Sequence, residues 1–545
     1  MSASLKIILA QLNYCVGDIE GNSKKIIENI ELAKSEYHAD CIVFTELALI
    51  GYPPEDLIFR AKINERIKKC VRRIQDVTKN IIVVIGTPWI DQNEIYNAAL
   101  VLRDEQIVAR YYKKILPNYS VFDEERYFSS GTETCLFEID GVNFGLTICE
   151  DVWDSEPVKQ CKQSGADLII SINASPFHEH KQNERIQVVT QQVIDNHLPV
   201  FYVNQVGGQD ELVFDGGSFV VDNQQKLIAE AAICEEELLL IEYVSGLKKF
   251  SANNMLAKNH NENDAVYRVL QLGLKDYVNK NGFKGGLIGL SGGIDSALAL
   301  TLAVDALGAD HVHAVMMPTQ FTSDMSLEDA QLLANNLGVK YSVIEIESIM
   351  NSFKDALEEM FQGTKRDTTE ENIQARIRGT LLMAISNKFG YMVISTGNKS
   401  EMAVGYATLY GDMAGGFAPL KDVPKMKVFE LSKYRNTLSD VIPQRIIERP
   451  PSAELSLNQI DEDSLPPYEI LDQILELFIE QDSSRDEITA RGFDEDIVSR
   501  VIEMVFRNEY KRRQAPPGVK ITKRAFGKDR RYPITSGVLS YLNKD

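Results

Sequence analysis

Residues 285–300 read GGLIGLSGGIDSALAL, and this stretch decides how the C-terminal half folds. Its first six residues are apolar or glycine, the next six crowd two serines, two glycines and an aspartate into one turn, and ALAL opens a helix-forming run ending near Gly308. A buried strand, a glycine turn and a helix, followed by a second apolar run VHAVMMP at 312–318, predict a parallel βαβ unit. Glycines at a strand-to-helix turn let backbone N–H groups and the helix start face an anion. The added hydroxyls and carboxylate make a purely structural turn a poor explanation. No lysine follows the glycines, so the turn is not the GxxxxGKS or GxxxxGKT loop.

Working outward, 545 residues exceed the usual size of one hydrophobic core, which predicts two domains. The chain is 44% hydrophobic and 25% charged, as soluble globular proteins are. A formal net charge of -21 argues against binding nucleic acid or anionic membranes, so an anionic ligand must meet local positive charge. The first 18 residues lack a basic n-region with an apolar core, and no run reaches the roughly 18 apolar residues of a membrane span. Seven widely spaced cysteines, all before residue 235 and without a CxxC pair, suit a reduced, cytoplasmic setting.

From residue 5 to about 243, apolar runs such as IIVVIGTP (81–88), GLTICED (145–151), LIISINAS (168–175) and VFYVNQVGG (200–208) alternate with amphipathic stretches, predicting a layered α/β domain. The polar, asparagine-rich LKKFSANNMLAKNHNEND (247–264) reads as a linker. The expected division is 1–246, a linker at 247–262, and 263–545, with a mostly helical pattern after about 425.

Three N-terminal strings end apolar runs on a polar residue: FTELALIGYPPEDL (44–57) around Glu46, YYKKILPNYSVFDEERYF (111–128) around Lys113, and ICEDVWD (148–154) around Cys149. A buried cysteine is ordinarily inert packing and a strand-end Glu or Lys is ordinarily solvated. Their joint occurrence, in order, resembles the nitrilase superfamily over nearly all of residues 5–243. That resemblance implies an αββα sandwich with Cys149 as nucleophile, Glu46 as base, Lys113 facing the oxyanion, and Glu124 as a further acid. The family's spacing to LPNY (116–119) implies that Lys113, and not the adjoining Lys114, takes this place. Resemblance to one glutamine-using branch implies that Tyr119, Ser175 and Lys181 hold the amino-acid end of glutamine.

The C-terminal turn resembles the pyrophosphate loop of N-type ATP pyrophosphatases, which implies a Rossmann-like parallel α/β nucleotide-binding domain and adenylation of an acceptor. ATP would be held by Gly289, Leu290, Ser291, Gly292, Gly293, Ile294, Asp295 and Ser296. The strings RDTTEENIQARIRG (366–379), STGNKSEMAVGYATLYGDMAGGFAPLKDVPK (395–425) and IIERPPSAEL (446–455) resemble the NAD synthetase family. Carried over by position, Thr396 contacts ATP, Asp295 and Glu401 hold Mg²⁺, and deamido-NAD meets Asn372, Arg376, Glu401, Lys425 and Lys511. Arg376 and Lys425 would face phosphates. Met426 departs from the small hydroxyl residue expected after Pro424 and Lys425, which leaves the local hydrogen bonding open. The basic stretch YKRRQAPPGVKITKRAFGKDRR (510–531) is either a solvated tail or a nucleotide contact, and the family position of Lys511 favours contact.

Both resemblances together imply an enzyme taking glutamine, ATP and deamido-NAD, with Mg²⁺ as cofactor and NAD as product, and with ammonia passing between the sites. Self-association into a homo-oligomer is expected, with neither nucleic acid nor membrane as partner. Rival readings are an amidotransferase of the same class acting on another carbonyl, an amidase with a regulatory nucleotide domain, and an inactive nucleotide-binding scaffold.

Overall fold

The computed structural model describes residues 4–244, 249–252, 261–456 and 461–538. The chain divides into two compact units, Met1–Glu262 and Asn263–Asp545.

The strands of the first unit are β1 (Ser4–Gln11), β2 (Cys41–Val43), β3 (Ile82–Asp91), β4 (Glu94–Arg103), β5 (Gln106–Tyr112), β6 (Leu136–Ile139), β7 (Val142–Ile148), β8 (Leu168–Asn173), β9 (Val200–Asn204), β10 (Val206–Gln209), β11 (Leu212–Asp215), β12 (Phe219–Val221), β13 (Leu227–Glu230), β14 (Glu237–Val244) and β15 (Lys249–Ala252). One sheet runs β15-β14-β1-β2-β3-β4-β5 and the other β13-β12-β9-β8-β7-β6, with β10 and β11 as a separate hairpin. In each sheet three central strands are parallel, β1-β2-β3 and β7-β8-β9. Strand alternation then builds the layers. Leu5, Ile7 and Leu9 of β1 share a core with Phe144, Leu146 and Ile148 of β7, Ile170 of β8 and Phe201 of β9, so the two sheets face each other. Ile8 and Ala10 point the other way, into a core with Ile26 and Ile30 of the helix Ile19–Ser35 and Val71 and Ile74 of the helix Ala61–Gln75. On the far side, Val158, Val189 and Val193 of the helices Ser155–Gln163 and Lys181–Asn196 pack on Ile169, Val200 and Tyr202. The result is an αββα sandwich. Each buried aliphatic side chain contributes roughly 1.5–3 kcal/mol, an attraction that is itself non-directional.

In the second unit β16 (Gly286–Gly289), β17 (Val312–Met316), β18 (Lys340–Val343) and β19 (Met392–Ile394) form a wholly parallel sheet in the order β18-β17-β16-β19. The helix Ile294–Leu307 follows β16 directly, as the opening stretch predicts. Strand order reverses beside β16, and the crevice outside the carboxyl ends of β16 and β19 is where ligands bind in open α/β sheets. A helical core built on Leu471, Ile474, Val498, Val501 and Ile502 completes the unit.

The linker expectation needs correction. Residues 249–252 are an edge strand paired antiparallel with β14, because Phe250 buries its ring on Tyr243 and Phe201. The next helix begins at Glu262, and residues 247–248 and 253–260 lie outside the described residues. The strand forecast at 145–151 also ends early: β7 stops at Ile148, and Cys149–Val152 is a 3-10 turn.

Two candidate active sites

In the first unit the functional side chains follow strand ends: Glu46 after β2, Lys113 after β5, Cys149 after β7, Ala174 and Ser175 after β8. Gly86 of β3 makes room for the Glu46 segment, since a Cβ there would lie 2.3 Å from the Thr45 carbonyl oxygen and 2.4 Å from the Leu47 nitrogen. The Lys113 ammonium donates to Glu46 Oε1 and to Glu124 Oε1, each at 2.8 Å. Asn97 donates to the same Glu46 oxygen at 2.7 Å, the Ala174 N–H to Glu46 Oε2 at 2.9 Å, and the Tyr52 hydroxyl to Glu124 Oε1 at 2.8 Å. The three charged side chains are at most 4% exposed.

Burial opposes the charge on Lys113, but the Glu124 and Glu46 carboxylates outweigh it and hold its pKa well above the usual value. Burial raises Glu124 to about 7, tempered by Lys113. Burial and the Glu46 carboxylate push the Cys149 thiol up, so at rest it keeps its proton and its activation calls for a base. Cys149 starts its 3-10 turn with φ 45°, a left-handed backbone uncommon for a residue with a Cβ. Lys114 points elsewhere, to Thr134 Oγ1 and Gln160 Oε1 at 3.2 and 2.5 Å.

Around this group the Tyr119 hydroxyl donates to Glu150 Oε1 at 2.8 Å, with the residue 57% exposed. The Ser175 hydroxyl accepts from Arg185 Nε at 3.1 Å, and Lys181 pairs with Glu184 at 3.2 Å while lying 4.0 Å over the Trp153 ring. Burial and the Arg185 charge lower the Lys181 pKa. Sequence reasoning missed Tyr52, Asn97, Glu150, Asp151 and Arg185. Tyr52, Asn97 and Glu150 meet partners 31 to 72 residues away, and each of the five residue types alone is unremarkable.

In the second unit a cavity of about 260 Å³ opens at the switch point. Gly289, Leu290, Ser291, Gly293, Ile294, Asp295, Ser296 and Thr396 line it, together with Glu401 and Lys425. Gly292 does not. At φ +81° it turns the loop against Ser326, whose carbonyl oxygen would lie 2.5 Å from an added Cβ. The loop holds its own shape: Ser296 Oγ donates to the Gly293 carbonyl at 2.9 Å and accepts the Ser291 N–H at 3.2 Å. No side chain caps the helix at Gly293, which leaves its first N–H groups for a ligand.

Lys425 Nζ bonds Asp295 Oδ2 at 2.5 Å and Glu401 Oε1 at 3.3 Å, and Asn398 donates to Asp295 Oδ1 at 2.9 Å. Burial raises Glu401 to about 8, moderated by Lys425. The two carboxylates expected to hold Mg²⁺ thus share an ammonium. Among the described residues no three His, Cys, Asp or Glu side chains are grouped to hold a metal. Two carboxylates beside the glycine loop still suit Mg²⁺, which takes one or two carboxylates and completes its shell with phosphate oxygens and water.

Asn372, Arg376 and Lys511 stand outside the cavity lining, yet all three hold one segment beside it. Asn372 Oδ1 accepts from the Thr408 hydroxyl at 2.7 Å, Arg376 Nε donates to the Leu409 carbonyl at 3.2 Å, and Lys511 Nζ donates to the Gly405 and Ala407 carbonyls at 2.8 and 2.9 Å. Most of the basic stretch is similarly engaged: Arg512 and Arg513 with Glu509, Lys520 with Asp529, Arg524 and Arg530 with Asp482. At Met426 the local hydrogen bonds come from backbone donors. Its N–H donates to Asp472 Oδ2 at 2.9 Å, the Lys425 N–H goes to Ser400 Oγ at 2.9 Å, and the side chain packs on the helical core. Arg378, unforeseen, lines the cavity with its guanidinium lowered to about 10 by burial and its Nε on the Met317 carbonyl at 3.0 Å.

Residues 6–246 match the carbon-nitrogen hydrolase family and 266–515 the NAD synthase family. Over 543 residues, 98% of this chain and 99% of the relative, the sequence is 48% identical to the glutamine-dependent NAD(+) synthetase of Acinetobacter baylyi. The chain belongs to the glutamine-dependent NAD(+) synthetases. The synthetase of Aquifex aeolicus is 46% identical across 98% of this chain and 99% of its own. A glutamine-dependent NAD(+) synthetase structure from Acinetobacter baumannii, in complex with ADP, superposes with TM-score 0.81 at 46% identity, covering 98% of this chain and 99% of that one. As a member of the family, this synthetase forms a carbon–nitrogen bond with glutamine as amide donor. No helix among its described residues is long and apolar enough to cross a membrane.

Proposed function

We propose that the first unit releases ammonia from glutamine through Cys149, Glu46 and Lys113, and that the second activates deamido-NAD with ATP at the loop 289–296. The observation that carries the first half is the buried Lys113 ammonium fixed between Glu46 and Glu124 beside the Cys149 turn. Cys149 Sγ attacks the amide carbon while Glu46 takes its proton. The Lys113 ammonium faces the oxyanion, and Glu46 returns the proton to the departing ammonia. Water then cleaves the thioester, Glu46 takes its proton, and glutamate leaves as the thiol re-forms. Tyr119, Ser175 and Lys181 hold the amino-acid end, with the Glu150 carboxylate suited to the α-ammonium and Lys181 to the α-carboxylate.

In the second unit the nicotinate carboxylate of deamido-NAD attacks the α-phosphorus of ATP and pyrophosphate departs. Ammonia then attacks the acyl carbon, AMP leaves and one proton is lost. The N–H groups of the loop and of the helix start at Ile294 bind the leaving phosphates. Thr396 contacts ATP, and Lys425 and Arg378 supply positive charge. Asn372, Arg376 and Lys511 bound the deamido-NAD side through the segment 405–409. Asp295 and Glu401 would hold Mg²⁺, which when bound would neutralise negative charge on the phosphates. A cytoplasmic homo-oligomer without nucleic-acid partners completes the reading.

The test is purified protein with glutamine, ATP, Mg²⁺ and deamido-NAD, followed by dehydrogenase cycling for NAD. Absence of NAD, or amidation of a different carbonyl acceptor in preference, overturns the reading.

A further inference from the structure

Asp151 is fully buried two residues after Cys149, and donors occupy both its oxygens. Oδ1 accepts the Lys114 and Ile115 N–H groups at 3.0 and 2.9 Å, and Oδ2 accepts the Ile148 N–H at 2.9 Å and the Tyr111 hydroxyl at 2.7 Å. These contacts bracket both reacting groups. Tyr111 and Lys114 flank Lys113, while Ile148 and Asp151 itself flank Cys149. The two brackets belong to different sheets, because Lys113 follows β5 and Cys149 follows β7. Between the sheets lies an apolar core, whose attraction is non-directional, whereas the Asp151 contacts are directional hydrogen bonds. A carboxylate is acceptor-only, so it satisfies four donors at once, and an amide cannot.

We propose that Asp151 is a positioning residue for glutamine hydrolysis, tying the end of β5 to the turn after β7 so that the Lys113 ammonium meets the oxyanion formed at Cys149. The proposal rests on the triad reading above.

The near-isosteric Asp151→Asn turns an NH₂ group toward two donors whichever way the amide lies. Active sites are counted by mass-spectrometric labelling of Cys149 with a diazoketone analogue of glutamine, and rates are expressed per labelled site. Glutamine hydrolysis by Asp151→Asn falls about tenfold or more in kcat, with KM for glutamine within about threefold and ammonium-supported NAD synthesis within about twofold. Tyr111→Phe, which removes one donor and keeps the carboxylate, moves kcat the same way by less. A full kcat per labelled site, with only the labelled fraction reduced, overturns the proposal in favour of a fold-stabilising role, as does a rise confined to KM. Failure of Asp151→Asn to fold leaves the decision to Tyr111→Phe, whose unchanged kcat per site also overturns it. Cys149→Ala, run in parallel, separates this outcome from failure of the triad itself: if it still hydrolyses glutamine, the triad reading falls and the positioning role with it.

Discussion

Burial pushes the Cys149 thiol up, so under the proposed mechanism it keeps its proton until Glu46 accepts it, and only a thiol at this place would form a glutamyl thioester. Cys149→Ala therefore abolishes glutamine-supported NAD synthesis and leaves synthesis from high ammonium within about twofold, measured at fixed ATP, Mg²⁺ and deamido-NAD. Cys41 and Cys161 sit among buried apolar side chains, and their replacement by alanine alters stability alone. Glu124 carries a pH signature. Its folded pKa, about 7, lies above the ordinary carboxylate value because burial disfavours the charge, so the fold holds this proton more tightly than the unfolded chain does. The stabilisation this gives is complete below about pH 4 and is lost as pH rises through 7, a swing on the order of 3 kcal/mol before coupling to Lys113 and Glu46. Glu124→Gln removes the slope. Both tryptophans, Trp89 and Trp153, lie in the first unit, so denaturation followed by their fluorescence at pH 5.5 and 8.5 reads that unit. The variant gains stability relative to the parent at the higher pH; an equal difference at both values rejects the assignment.

At the level of elements, the turn between β16 and the helix Ile294–Leu307 works because Gly292 takes φ +81° with no Cβ beside the Ser326 carbonyl. Gly292→Ala costs about 1–2 kcal/mol in left-handed strain and also collides with that carbonyl. The loop must shift, and its N–H groups lose their aim. NAD synthesis from glutamine and from ammonium falls together by at least about tenfold, while the N-terminal glutaminase still turns over. An ammonium-supported rate equal to the parent's removes the loop from the phosphate site.

On the scale of the whole molecule, each unit carries one half of the chemistry, and removal of metal divides them. With Asp295 and Glu401 as the proposed Mg²⁺ ligands, EDTA is expected to stop NAD synthesis with either nitrogen donor, while hydrolysis through the proposed nucleophile Cys149 proceeds. Persistent synthesis in EDTA excludes the metal assignment. Phosphorus NMR of a turnover mixture gives AMP and pyrophosphate, and ADP with orthophosphate in their place rejects adenylation. In a chain of net charge -21, Lys425 and Arg378 place positive charge at the cavity, and under the proposed function they would attract the anionic substrates.

How much of this was legible differs by kind of information. The βαβ unit, the layered first domain and the polar ends of its strands could be read from strings of fewer than twenty residues, because alternation, glycine turns and helix runs are local properties. The choice of Lys113 over its neighbour came from likeness to a family, and its physical reason is tertiary: Glu46 lies 67 residues away and reaches Lys113 only because β2 and β5 end at the same edge of the sandwich. The basic stretch 510–531 shows the limit. As sequence it reads as free charge for a nucleotide, yet Asp482, Glu509 and Asp529 take up most of it, and Lys511 spends its ammonium on two backbone carbonyls. In the same way Lys425 comes to lie between Asp295 and Glu401, a juxtaposition spanning 130 residues. By itself the sequence determined which segments become strands, turns and helices, and which residue types stand at their ends. Only the tertiary structure decided which charges meet, because pairing between distant residues depends on which elements pack side by side, and local periodicity carries no record of that.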